Sequence, residues 1–409
     1  MSSRTNALVF LIACGALPAL PARELTPAWI ELGPSGQVLA RVVVNSPDAC
    51  PVLQADRRPL PMQLRSPVPD GFLPACEASV PPKTHSLTLA GKPLRLPKTP
   101  RRVAVLGDTG CRVKGNQIQN CGDPAVWPFR AVAARIAAES PDLIIHVGDY
   151  LYRESPCPDP SRGCAGPNGD NWPAWKADFF EPAGAALSAA PWAFSRGNHE
   201  DCRRSWRGWF YYLDPRPFSN ACAAYSEPYI AQSGGLRLGM LDSASVLEDG
   251  TGRSQVERYA AQLRSFSGQV SWIADHHPFW AFKSGVPGGG AVISRPLAGA
   301  WESAKPDGVR LILSGHVHLF EFLAFERGRP AQLVAGDSGT ALAKSLAPDF
   351  SGAIVGGAAV ESGKSRQEFG YTVLRRRGKG WTLTLRNSEA KDLVTCKLPE
   401  HGIAGCEVR

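Results

Sequence analysis

Leu143-Ile-Ile-His-Val-Gly-Asp-Tyr-Leu-Tyr152 is the stretch on which the reading of the chain turns. Its first five residues are a short run, apolar but for His146 and rich in β-branched side chains, as a buried strand is. Gly148 ends the run, and a carboxylate, Asp149, and a phenol, Tyr152, follow at once. Open α/β sheets bind their ligands just beyond the carboxyl ends of such strands.

The same arrangement recurs on both sides of it. Val103-Ala-Val-Leu106 runs into Gly107-Asp-Thr-Gly110, and Trp192-Ala-Phe-Ser195 into Gly197-Asn-His-Glu200. Val270-Ser-Trp-Ile-Ala274 leads to Asp275-His-His-Pro278, and Val309-Arg-Leu-Ile-Leu313 to Gly315-His-Val-His318. Between these pieces, Phe129–Ala138 reads as a helix, Trp172–Leu187 as partly helical, Leu236–Leu241 as a strand and Ser254–Phe266 as an amphipathic helix. Strands alternating with helices predict an α/β core. Tyr371–Leu374 and Trp381–Leu385 read as a hairpin near the C-terminus. Residues 23–98 are rich in proline and poor in helix signals, with strands expected at Gln37–Val44 and His85–Leu89. That is a small β-rich region. The expected organisation is a leader over 1–22, the β-rich region over 23–98, a catalytic domain over 99–390 and a disulfide-linked tail over 391–409.

The polar residues at the five strand ends are carboxylates, a phenol, an amide and imidazoles, with no thiol among them. Such a set suits hard and borderline cations, not a structural zinc ribbon. Two cations side by side need an anion between them, and one Asp can bridge both through its two oxygens. Glycines ahead of the ligands let the backbone turn sharply and come close. Each element is weak alone: Gly336-Asp-Ser-Gly339 repeats the first one in this same chain and reads as a plain turn. Five elements in order, all at strand ends, carry the argument.

The 409 residues carry a formal net charge of +8, 11 cysteines and 20 % charged side chains, the composition of a globular chain. A basic surface steers anions such as phosphate esters. No nucleic-acid motif accompanies it, and the longest basic run, Arg375-Arg-Arg377, reads as a solvated face. Residues 1–22 have one charge, Arg4, an apolar run from Ala7 to Leu20 and a small-residue exit at Ala19 and Ala22. This fits a secretory signal and hence a secreted or periplasmic protein, with lipoprotein processing at Cys14 as the alternative. No segment is long enough for a transmembrane span. The ten cysteines after Cys14 fall into neighbours, 50 and 76, 111 and 121, 157 and 164, 202 and 222, 396 and 406, as a disulfide framework would.

In order, Gly107-Asp-Thr-Gly110, Gly148-Asp-Tyr-Leu-Tyr152, Gly197-Asn-His-Glu200, Ile273-Ala-Asp-His276 and Gly315-His-Val-His318 resemble the calcineurin-like metallophosphoesterases, and within them the purple acid phosphatases. Tyr152, three residues after Asp149, is the discriminating feature. The resemblance covers residues 103–320 and implies a four-layer β-sandwich flanked by helices. By the same resemblance, Asp108, Asp149, Tyr152 and His318 would hold Fe(III). Asp149 would bridge to a divalent ion (Zn, Fe, Mn or Mg) completed by Asn198, His276 and His316. His199 would be the proton donor or phosphate contact, with Glu200 orienting it or helping to shape the pocket. Ile273 stands where the pattern has Val. His276 is favoured over His277 because Pro278 follows it by two residues, and His277 would then face the substrate or lie behind the ligands.

Arg203, Arg204 and Arg207 beside the aromatic run Trp206–Tyr212 are candidates for gripping phosphate, the aromatics themselves reading as core. His146 reads as a core residue or a support for the ligands. The implied activity is hydrolysis of small phosphate monoesters by attack of a metal-bound hydroxide. Nucleic acid enters only as a phosphoester substrate. A phosphodiesterase of the same superfamily is the alternative, since Ile145–Arg153 also resembles alkaline phosphatases and phosphodiesterases of that group. A non-catalytic binding protein on the same core would be expected to have lost ligands, and none is missing.

Overall fold

The computed structural model describes residues 26–247, 252–282, 294–326, 328–344, 347–402 and 404–408. The expected leader, Cys14 and the glycine-rich stretch 285–290 lie outside them.

Alternation within the apolar strands sets the layers. In Arg102–Leu106 and Leu143–His146, Val103, Val105, Leu143 and Ile145 face one way, onto Leu238, Met240, Trp272, Leu311 and Leu313. Ala104, Leu106 and Ile144 face the other way, onto the helix Phe129–Ala138 and a layer of aromatic side chains. Strands buried on both faces are continuous apolar runs for this reason. Arg102–Leu106, Leu143–His146 and Trp192–Phe194 are parallel neighbours at the centre of an eleven-stranded sheet. Leu236–Met240, Trp272–Ala274, Leu311–Ser314 and Ala331–Ala335 are parallel neighbours in an eight-stranded one. Ile273 and Ile312 on its outer face pack under the helices Arg253–Phe266 and Arg295–Ala304. The result is helix, sheet, sheet, helix: the α/β four-layer architecture expected above. Both sheets deliver the ends of their parallel strands to one rim.

The β-rich N-terminal region is welded to this core. Trp29–Leu32 pairs in parallel with Trp192–Phe194, and Val38–Val43 lies antiparallel beside it. Arg41, fully buried, places Nη1 2.8 Å from Glu31 Oε2 and donates to Tyr212 O and Asp214 O at 2.9 and 2.8 Å. A buried guanidinium needs such partners on every side. At the opposite edge Gly370–Arg377 pairs with Arg102–Leu106, and Gly380–Asn387, Asp392–Leu398 and Gly405–Val408 continue the same sheet. The aromatic run Trp206–Tyr212 and Trp172 and Trp175 are buried together in the outer layer. All five neighbouring cysteine pairs are disulfides: Cys50–Cys76, Cys111–Cys121, Cys157–Cys164, Cys202–Cys222 and Cys396–Cys406. Among the described residues no helix is long and apolar enough to cross a membrane.

One buried carboxyl yields a pH test. Glu321 is fully buried; Oε2 accepts the Phe282 N–H at 3.0 Å and Oε1 has no partner. Burial raises its pKa from 4.5 to about 8. The folded chain keeps this proton while the unfolded chain releases it above pH 4.5. Stability is therefore fully present below that pH and declines as pH rises toward 8, by about 1.4 kcal/mol per unit. Glu321→Gln removes that share of the slope in urea unfolding measured between about pH 5 and 8. An unchanged slope would contradict the assignment.

Candidate metal centre

The rim holds the five strand ends, and the local backbone explains how the side chains converge. Asp108, Asp149 and His316 have φ of +54°, +62° and +69°, in the left-handed region that non-glycine residues avoid. Strain of this kind persists only where surrounding contacts over-determine it, and it gathers at functional sites. Gly148 has φ +100°, and a Cβ there would lie 2.6 Å from His276 Nδ1 and 2.9 Å from Gly197 Cα. A Cβ on Gly197 would collide with the Asp149 backbone and carboxylate.

Glu200 holds the turn from below. Its carboxylate accepts the N–H groups of Asp149, Tyr150, Leu151 and Gly197 at 3.1, 2.9, 3.2 and 3.2 Å. The Gly336–Gly339 repeat lies against the Asp108 turn: Ser338 Oγ accepts from Gly107 N at 3.4 Å and Thr340 N donates to Asp108 O at 2.8 Å. His146 is buried beneath, where Nδ1 accepts the Gly148 N–H at 3.2 Å. Nε2 therefore carries the ring proton and faces Thr109 Oγ1 at 3.1 Å.

Tyr152 is the focus of one half of the site. Its Oη lies 2.7 Å from Asp149 Oδ2, 2.9 Å from Asp108 Oδ1 and 3.0 Å from His318 Nε2. Burial pushes the phenol well above its ordinary pKa, and Asp108 and Asp149 add to that. A phenol has one proton to give, and two carboxylates face it. Without a cation the second carboxylate oxygen is left against lone pairs; a cation would satisfy all four donor atoms and let the phenol ionise.

The other half gathers on Asp149 and His276. His276 Nδ1 faces Val147 O at 2.8 Å, which fixes a proton on Nδ1. Nε2 lies 3.2 Å from Asp149 Oδ2 and 2.9 Å from Asn198 Oδ1, and His316 Nδ1 lies 3.2 Å from the same amide oxygen. Burial, the largest single effect, lowers the pKa of His276, but Asp149, Asp108 and the Val147 carbonyl together outweigh it and raise the value to about 10. The position calls for a positive charge, a proton or a metal ion. With its oxygen inward, as here, Asn198 suits either a proton on Nε2 or an ion; turned over, its amide nitrogen would donate to neutral imidazoles and its oxygen would accept from Arg204 Nη1 at 3.3 Å. Asp108, Asp149 and His276 bring ligand atoms within 4.8 Å of one another, close enough to hold an ion. The donor set fits a cation.

The structure thus brings Asp108, Asp149, Tyr152, Asn198, His276, His316 and His318 together. His199 stands at the mouth, its Nδ1 2.5 Å from Glu154 Oε1, its Nε2 3.8 Å from Asp149 Oδ2 and its ring 3.9 Å from that of Tyr152. His277 is buried behind, its ring 4.2 Å from that of His316. Arg203 points away: it is 83 % exposed and paired with Asp201 at 2.9 Å. Arg207 instead lies over Trp206, at 4.5 Å. The cleft above the site, about 320 Å³, is lined by Arg112, Lys114 and Arg204 on its charged side. Arg112, Lys114 and Glu154 carry no motif in the sequence. Only their closeness to the turns at Asp108 and Tyr152 pointed toward them.

Residues 101–320 match the family described as calcineurin-like phosphoesterase. No curated protein matches the chain. Among solved structures it is similar to purple acid phosphatase PPD1 from seeds of yellow lupin, Lupinus luteus, with 14 % identity, a TM-score of 0.54 and coverage of 89 % of this chain and 72 % of that one. It is similar also to PhoD, with 11 % identity, a TM-score of 0.54 and coverage of 95 % and 93 %. At these identities the likeness is one of fold.

Gly197→Ala should weaken metal binding about 10- to 100-fold in competition with a chelating dye, as loss of support behind ligands does. Gly235→Ala, where an added Cβ meets nothing within 4 Å, is the control. Equal affinity in both variants would contradict the close approach of Gly197 to Asp149.

Proposed function

The chain belongs to the calcineurin-like phosphoesterase family, and on that premise we propose that it hydrolyses phosphate monoesters at a two-metal centre of the purple acid phosphatase kind. The observation that carries the reading is Tyr152 Oη, within 2.7 to 3.0 Å of Asp149, Asp108 and His318. In this reading Asp108, Asp149, Tyr152 and His318 hold Fe(III). Asp149, Asn198, His276 and His316 hold a divalent ion. Bound there, the ions supply Lewis acidity toward phosphoryl oxygens and lower the pKa of water.

The chain's own residues do the rest. Asp149 is shared, with Oδ2 toward Tyr152 and His276 and Oδ1 accepting the His199 N–H at 2.9 Å. Arg204, beside Asn198, binds the phosphate oxygens. Glu154 fixes the His199 ring by Nδ1, so that Nε2 faces the cleft and can give a proton to the leaving oxygen. The positive wall of the cleft favours a dianionic monoester over a monoanionic diester. The five disulfides support an exported protein.

Iron-loaded protein should show a visible charge-transfer band that Tyr152→Phe abolishes. Bound ferric iron without a band would overturn the tyrosinate assignment. His199→Ala should lower kcat about 100-fold or more for an alkyl phosphate, whose leaving group needs a proton, and much less for 4-nitrophenyl phosphate. Equal losses would remove His199 as proton donor. Faster turnover of bis(4-nitrophenyl) phosphate than of the monoester would favour a phosphodiesterase.

A further inference from the structure

The cleft holds more positive charge than one phosphate group needs, and the excess lies on one short element. Immediately after the Asp108 turn the chain forms a hairpin in which Val113–Lys114 pairs with Gln117–Ile118. The Cys111–Cys121 disulfide closes its base. A second tie comes from Val113 N, which donates to Tyr152 O at 3.0 Å. The hairpin is therefore fixed to the two turns that supply Asp108 and Tyr152.

It presents two cations to the cleft. Arg112 is half-buried, with Nη1 donating to Gln117 Oε1 at 3.0 Å, Nη2 3.4 Å from His318 Nε2 and the guanidinium 4.9 Å over the Tyr152 ring. Among the described residues it has no carboxylate partner. Lys114, at the rim, is 46 % exposed and lies 2.9 Å from Glu154 Oε2. Arg204 lies 3.6 Å from Oε1 of the same Glu154, and that oxygen also meets His199. Two cations and the His199 ring thus share one carboxylate, apart from Asp149, whose oxygens are taken by Tyr152, His276 and the His199 N–H. Val317, Leu319 and Ala343 also line the cleft, Ala343 half-buried.

The cations are also spread out. Asp149 contacts His199, His199 contacts Glu154, and Glu154 contacts Lys114, so Lys114 is three contacts out from the carboxylate at the centre. A phosphate seated on the centre meets Arg204. Arg112, against Tyr152 and His318, also stays beside the centre, and Lys114 remains for a group further along the substrate.

We infer that Lys114, held at the rim by this hairpin, is a subsite for a second anionic group, so that the substrates are small phosphate monoesters bearing an additional carboxylate or phosphate. This rests on the phosphoesterase reading above. Charge-assisted hydrogen bonds from Lys and Arg are strong enough to select such a group and are weakened by salt at an exposed rim.

The test is equilibrium binding to metal-loaded protein, by calorimetry, of phenylphosphonate, 3-carboxyphenylphosphonate and benzene-1,3-diphosphonate. None of these can be hydrolysed. Wild-type protein should bind at least one of the doubly substituted probes about tenfold tighter than phenylphosphonate, and which one gains more tells carboxylate from phosphate. Lys114→Ala should bring that ratio to about two or below, and Lys114→Arg should keep it. Equal binding of all three probes, or a ratio that Lys114→Ala leaves intact, overturns the subsite while the phosphoesterase reading stands. Binding of none, with no turnover of any monoester, overturns both.

Discussion

The carboxylate of Asp149 is the group on which the rim of this molecule depends. One oxygen anchors the backbone of His199, and the other faces Tyr152 and His276. It thereby ties turns of the first sheet to a turn of the second. The side chain is 1 % exposed, and a buried carboxylate persists only when its charge is met by partners. Its backbone sits at φ +62°, a conformation held by the four N–H bonds of Glu200 to this turn and the next. Charge, strain and close glycine contacts all point at the same few ångströms.

The layers exist to make that convergence affordable in structural terms. Two sheets of parallel strands, buried on both faces, end at one rim, and short turns there bring the side chains inward. The Gly336–Thr340 segment adds support from the second sheet to the Asp108 turn. A scaffold of this kind needs a pattern of apolar strands and tight turns more than it needs particular side chains. That is why the fold is shared with structures only 14 and 11 % identical.

How much of this is legible in the sequence follows from how local each feature is. The strands ending at Leu106, His146 and Ala274 are short apolar runs stopped by polar residues, and the helix Phe129–Ala138 is an unbroken alanine-rich stretch; both signals lie within a few residues. The pairing of Trp29–Leu32 with Trp192–Phe194 joins segments far apart in the chain, so the β-rich region reads as separate until the register is seen. The rim divides the same way. Asp108, Asp149 and the histidines of Gly315–His318 announce themselves by following a strand. Arg112 and Lys114 sit on a hairpin of two-residue strands, too short and polar to leave a pattern. Arg203 and Arg204 are adjacent in sequence, yet one turns to solvent and the other to the cleft. Glu154 matters through His199, 45 residues later, and through Lys114 and Arg204, all distant in sequence.

The central claim is that Asp149 divides two cation sites of different chemistry. Anomalous diffraction from crystals of protein loaded with iron and zinc, recorded on both sides of the iron absorption edge, is the test. The account predicts two peaks flanking the Asp149 carboxylate, with the iron signal beside Tyr152 Oη and the other peak beside His276 and His316. A single peak, or two peaks of which neither touches Asp149, would contradict it.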